Sequence, residues 1–247
     1  MSIAKDCCLI CILILTFYYI FQYNSLKRKF FKEKELFIHI LGHDFRVPVI
    51  AQIRGLDLVL QKSFVVQEDD FLLDEINKSC KYTLDMVTML MNIYKIENGE
   101  IILNYENINL RECFTTILDE FSDCIESKNI NIVFDVGNES IYADKTYFIK
   151  ALRILINTVL RYSANNKTVS ITLLKNINGM KLTLKYVGNS LSQDEYSRLF
   201  ELNPTYSAVG QGIQMYLCKK IIDLHNGKIK FCPKLNQNND FDVILPY

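Results

Sequence analysis

A chain of 247 residues with 49% apolar content has room for a membrane segment and two small domains with their own cores, and is neither disordered nor fibrous. Lys plus Arg and Asp plus Glu number 28 each, so no global charge points to a nucleic acid partner. What asymmetry there is lies near the N-terminus.

Cys7 to Tyr23 carries no charge, and only Thr16 and Gln22 are clearly polar. Its length is close to the lower limit for a bilayer-spanning helix. Lys27, Arg28, Lys29, Lys32 and Lys34 follow, while only Lys5 and the amino terminus precede, so the rest of the chain is expected on the cytoplasmic side. Tyr18, Tyr19, Phe21 and Tyr23 stand where a cleaved signal peptide would carry small residues, so the segment is expected to remain attached as a single span. Cys7, Cys8 and Cys11 lie within it and the other five cysteines are scattered, which implies no disulfide framework.

From about Ser25 to Gln61, Phe37, Leu41, Phe45, Val49, Ile53, Leu56 and Leu60 recur every three or four residues and predict one long amphipathic helix. A second stripe of Leu73, Ile76, Cys80, Leu84, Val87, Met91 and Tyr94 predicts another, stopped at Asn98-Gly99. Such a hairpin cannot cover its own apolar faces. A homodimer closing a four-helix bundle is the economical solution. Beyond Gly99, Asn109 and Glu112 form a capping-box pattern ahead of a helix that ends near Lys128-Asn129. Strands are predicted at Ile130 to Val136, Val169 to Leu174, Lys181 to Val187, Lys228 to Phe231 and Phe241 to Leu245, with helices over Lys145 to Ser163 and Gly212 to His225. The expected fold class is therefore α+β. An N-terminal transmembrane anchor (1–24) precedes a dimerising helical hairpin (25–100), and a C-terminal α/β sandwich (104–247) has one sheet covered by helices.

His43-Asp44-Phe45-Arg46-Val47-Pro48 resembles the phosphoacceptor box of bacterial two-component sensor histidine kinases. His43 is two residues from both Leu41 and Phe45, about 200° around a helix from the apolar stripe, and is expected to face water. Pro48, placed inside an amphipathic helix, would cost about 3 kcal/mol and so calls for a reason. The resemblance continues through Ile93 to Gly99, Leu103 to Phe114, Asp144 to Ser163, Arg198 to Glu201 and Gly210 to Ile213, in the family's order. It implies a sandwich like the family's ATP-binding domain. The implied chemistry has the His43 imidazole attack the γ-phosphate of ATP while Asp44 orients or accepts a proton, before transfer to an aspartate of a cognate response regulator. Arg46 and Val47 would face that partner.

Against the family's pattern, the nucleotide site is degenerate. The resemblance puts Ile154 and Thr158 where two asparagines are usual, with Thr158 at the Mg²⁺ position, so no metal ligand is assigned. Arg161 and Tyr162 are retained. Tyr186-Val187-Gly188 stands where an aspartate would accept from the adenine amino group, a loss that predicts about ten- to a hundred-fold weaker binding. Gly210 and Gly212 keep a phosphate cradle, but Gln214 replaces its third glycine. ATP and Mg²⁺ binding is thus expected to be weak. Val47 also replaces the Thr or Asn that orients water in phosphatases of the family, and can neither donate nor accept. The expected function is a sensor in the bacterial inner membrane, impaired as an autokinase and biased towards dephosphorylating its regulator. A working autokinase with a divergent pocket and a non-catalytic module that sequesters the regulator remain as alternatives.

Overall fold

The computed structural model describes residues 17–23, 45–61, 66–137, 139–177, 179–188, 198–202, 211–233 and 238–246. It divides the chain into two compact units, residues 1–80 and 81–247. Residues 17–23 are helical and exposed, and the rest of the expected span lies outside the described residues. No described helix is long and apolar enough to cross a membrane.

In the first unit, α1 (Arg46–Gln61) is followed by α2 (Val66–Glu97), which runs on into the second. Pro48 does not interrupt α1. In α1 as described it lies in the first turn, where an amide has no acceptor within α1 to lose, and the part of the expected helix before Phe45 lies outside the described residues. The expected stripe of Val49, Ile53, Leu56 and Leu60 points outwards, while Pro48 and Gly55 are buried and Gln52 is half-buried. Gln52 Nε2 donates to Ser79 Oγ at 3.0 Å, and a Cβ on Gly55 would lie 2.9 Å from Ile76 Cδ1. A seam of small and polar residues therefore brings α1 close to the start of α2.

The second stripe behaves likewise. Leu73, Leu84, Val87, Met91 and Tyr94 are exposed, Leu84 at 65%, whereas Ile76, Met86, Leu90, Ile93 and Ile96 are buried. A helix of 32 residues with two apolar stripes has two seams, and periodicity does not say which of them the chain itself covers.

The remainder of the second unit is a sandwich. It comprises β1 (Tyr105–Asn109), α3 (Leu110–Glu120), α4 (Ser122–Ser127), β2 (Asn131–Asp135), β3 (Ser140–Asp144), α5 (Lys145–Tyr162), β4 (Thr168–Asn176), β5 (Gly179–Val187), α6 (Gln211–Leu224), β6 (Lys228–Pro233) and β7 (Asn238–Leu245). Five strands form one sheet in the order β2-β4-β5-β7-β6, with β2 and β4 parallel and the other neighbours antiparallel. Its inner face carries Val169, Ile171, Leu182, Leu184, Phe231, Phe241 and Val243. These bury together with Phe114 and Ile117 of α3, Phe148, Leu152 and Leu155 of α5, and Leu217 and Ile221 of α6. Asn109 caps α3 by accepting from the Glu112 amide at 3.3 Å, as its sequence pattern predicts. The single helix expected up to Lys128 is broken at Phe121 into α3 and α4. The β1–β3 pair, too short and polar to show in the sequence, forms a second, two-stranded sheet.

Candidate functional site

On the hairpin, His43 and Asp44 lie outside the described residues. Arg46 and Val47 are exposed in the first turn of α1, Val47 at 56%, with no bonding group on its side chain.

The second candidate region lies where α5 ends beside β5. Asp144, 6% exposed, starts α5: its Oδ1 accepts from the Tyr147 amide at 3.0 Å and its Oδ2 from the Asn104 amide at 2.8 Å. The Asp144 amide donates to His225 Nε2 at 3.1 Å, and His225 Nδ1 donates to the Ile221 carbonyl at 2.8 Å. That pair of partners fits the neutral ring protonated on Nδ1. His225 thus ties the end of α6 to the start of α5. Sequence reasoning missed it, because nothing local marks a histidine whose partner lies 81 residues away.

The far end of α5 is fixed by Lys128, whose ammonium donates to the carbonyls of Leu160, Arg161 and Ser163 at 2.8, 2.9 and 3.3 Å. A cation there also complements the helix dipole. Arg161 is exposed and Tyr162 half-buried. Ser163 bridges Gly188, and the Ala164 amide donates to the Val187 carbonyl at 2.9 Å. A Cβ on Gly188 would sit 2.0 Å from the Tyr162 carbonyl oxygen, so this crossing admits only glycine.

Two side chains between sheet and helices decide what the region can hold. The Thr158 hydroxyl, on a residue 8% exposed, donates to the Ile154 carbonyl at 2.8 Å and lies 3.4 Å from Met215 Sδ of α6. Tyr186, 1% exposed, stacks on Phe241 with ring centroids 6.3 Å apart and planes 16° from parallel. Among the described residues its hydroxyl has no hydrogen-bond partner. Burial first, and the Tyr162 phenol second, push the Tyr186 phenol well above its ordinary pKa. Gly212 is half-buried in the first turn of α6, and Gly210 lies outside the described residues.

Residues 143–247 match the family described as histidine kinase-, DNA gyrase B-, and HSP90-like ATPase. The adaptive-response sensory kinase SasA of Gloeothece citriformis is 23% identical over 228 residues, covering 87% of this chain and 58% of that relative. The histidine kinase AdeS of Acinetobacter baumannii shares the fold, with a TM-score of 0.71 at 19% identity over 83% of this chain and 97% of its own. Residues 143–247 thus belong to that family of ATPases, and the chain is similar to two-component sensor histidine kinases over most of its length. Another histidine kinase with the same fold, ThkA, solved in complex with its response regulator TrrA, has a TM-score of 0.65 at 20% identity, covering 83% of this chain and 59% of its own. The chain thus spans little more than half the length of the first of these relatives.

Among the described residues, two that the resemblance places at nucleotide and metal contacts, Thr158 and Tyr186, offer a poor fit to ATP with Mg²⁺. A metal needs an open hard oxygen, and the Thr158 hydroxyl is turned into its own helix and covered by a thioether. A purine needs an open slot, and at this position the Tyr186 ring is itself packed into the interior.

The region holds one more cluster that periodicity could not reveal. Tyr216 of α6 donates a short hydrogen bond to the Glu97 carboxylate at the end of α2. Lys220 Nζ pairs with Glu97 Oε1 at 3.1 Å and lies 5.0 Å from the Tyr216 ring centroid. Its only sequence signal is the spacing of Tyr216 and Lys220, four apart and so on one helix face.

Proposed function

We propose that this chain is a dimeric, single-pass sensor of the bacterial inner membrane that controls a cognate response regulator chiefly by removing its phosphoryl group, with autokinase activity impaired. The observation that carries the impairment is the pairing of a buried Tyr186 with a Thr158 hydroxyl bonded to the backbone of its own helix. The regulator as partner is supported by the histidine kinase fold, which the ThkA complex with TrrA shares. Membrane attachment is supported by the uncharged Cys7 to Tyr23 run and the basic cluster behind it. Dimerisation is supported by the outward apolar residues of α1 and α2, from Val49 to Leu60 and from Leu73 to Tyr94.

The reaction proposed needs no nucleotide. Water attacks the aspartyl phosphate of the regulator, a new P–O bond forms, the bond to the carboxylate breaks, and inorganic phosphate leaves. With Val47 unable to hold the water, His43 is the group assigned to orient it and take its proton, and Asp44 to position the imidazole. Arg46, three residues beyond His43 along the chain and exposed, meets the regulator's acidic site.

The test is the lifetime of a phosphorylated regulator mixed with the full chain in membranes. Wild type shortens it and His43→Ala does not. Equal lifetimes with and without the wild-type chain would refute the reading, and shortening that survives His43→Ala would remove the histidine from it. Binding without any change in lifetime would favour sequestration.

A further inference from the structure

We propose that Tyr186 stands in for a nucleotide base: its ring fills the base subsite from within the chain, so that the sandwich closes without ligand. The proposal rests on the family reading, because that resemblance is what assigns the end of β5 to base recognition.

Four observations carry it. Tyr186 projects from the inner face of β5 in line with Leu182 and Leu184, and is as buried as they are, so it is part of the packing between sheet and helices. Its ring lies flat on Phe241 of the neighbouring strand, where register puts Leu184 opposite Phe241 and Tyr186 opposite Asn239. The strand that carries it has no slack, because the Ser163–Gly188 bridge and the bond from the Ala164 amide to the Val187 carbonyl hold the next two residues against the end of α5. At Gly188 the approach is too close for any side chain. Moving the ring aside would therefore require β5 to part from α5.

The fourth observation is the hydroxyl. Among the described residues the Tyr186 hydroxyl is buried and has no hydrogen-bond partner. A space-filling role accounts for that, since the ring is retained for its area and shape. Nearby, Met215 closes over Thr158 in the same manner, an apolar side chain lying where a metal would need an oxygen.

The experiment titrates trinitrophenyl-ATP, with Mg²⁺, into the full chain in detergent, using wild type, Tyr186→Ala and Tyr186→Phe. Wild type and Tyr186→Phe are expected to show no saturable binding at millimolar concentrations, and unlabelled ATP no shift in melting temperature. Tyr186→Ala, which vacates the ring, is expected to bind at least tenfold more tightly than wild type, with ATP competing. Submillimolar binding by wild type would overturn the proposal. So would a folded Tyr186→Ala with no gain. Should that variant fail to fold, Tyr186→Val keeps the core apolar and must gain affinity in its place. Regulator dephosphorylation measured on the same preparations separates the two readings: nucleotide binding by wild type overturns the plug and the autokinase impairment that shares Tyr186 with it, and an unchanged phospho-regulator lifetime overturns the dephosphorylating role alone.

Discussion

The clasp between the end of α2 and α6 can be tested quantitatively. Tyr216 donates to the Glu97 carboxylate and Lys220 pairs with it at 3.1 Å, the Lys220 and Glu97 side chains being 28% and 26% exposed. A hydrogen bond to a charged group is worth about 1.5–3 kcal/mol. Partial exposure places this one at the low end, and screening holds the Lys220 pair below about 1 kcal/mol. Glu97→Ala and Tyr216→Phe, each of which deletes one partner of the bond, should each destabilise the chain by about 1–2 kcal/mol. The double variant should lose about 1 kcal/mol less than the sum, because the second substitution finds the bond already gone. Urea unfolding of the four proteins measures that difference, and amide exchange around residues 95–100 reports whether the loss is local. Independent sites add to within about 0.5 kcal/mol. Additivity inside that margin would show that phenol and carboxylate do not hold each other and would remove the clasp.

Tyr186→Phe should stabilise the chain, because it deletes a buried hydroxyl with no partner and keeps the ring on Phe241. A gain of about 1–3 kcal/mol, read as a rise of about 2–4 °C per kcal/mol in a thermal melt, is expected, and a loss would mean that the hydroxyl has a partner. Gly188→Ala forces a methyl to 2.0 Å from the Tyr162 carbonyl oxygen and should cost about 3 kcal/mol or more in urea, separating β5 from α5. Two N–H bonds from Arg153, both 2.7 Å, lower the Glu120 pKa from its ordinary 4.5, with burial opposing. The stabilisation is therefore present above the ordinary value and lost as pH falls through the lowered one. Both side chains are more than 40% exposed, so Glu120→Gln should flatten the acid limb of stability against pH below about 4.5 by less than about 1 kcal/mol. For the dimer proposed above, Leu84→Lys with Met91→Lys adds charge to an outward apolar stripe, and should lower the mass measured by sedimentation equilibrium towards that of one chain while leaving the sandwich folded.

The five-stranded sheet and its two longer helices were readable from sequence because each has a local signal. β5 alternates, α5 starts at an aspartate ahead of an apolar period, and α3 carries its own cap. What escaped is set at a distance. β1 and β3 are held by pairing with each other, Tyr105 opposite Asp144 and Asn109 opposite Ser140, and neither has an apolar run to announce it. His225 and Glu97 take their roles from partners 81 and 119 residues away. Of the candidate site, Gly188 was legible from its motif, but the reason for it was not: the glycine serves a backbone crossing that would need it with or without a nucleotide.

The same distinction governs how retained motif residues are read. Asp144, Gly188 and Ser163 match the nucleotide-binding region of the family, yet each has a structural task here: capping α5 and receiving Asn104, letting β5 cross the end of α5, and forming the bridge between them. Residues held by packing persist after a ligand is lost, since removing them costs fold stability whatever the site binds. Positions that would touch only nucleotide or metal have no such restraint, and the two that the resemblance places there, Thr158 and Tyr186, are both buried, with the Thr158 hydroxyl bonded within its own helix. The same supports leave α6 held against Glu97 through Tyr216 and Lys220, contacts that are made within the chain itself.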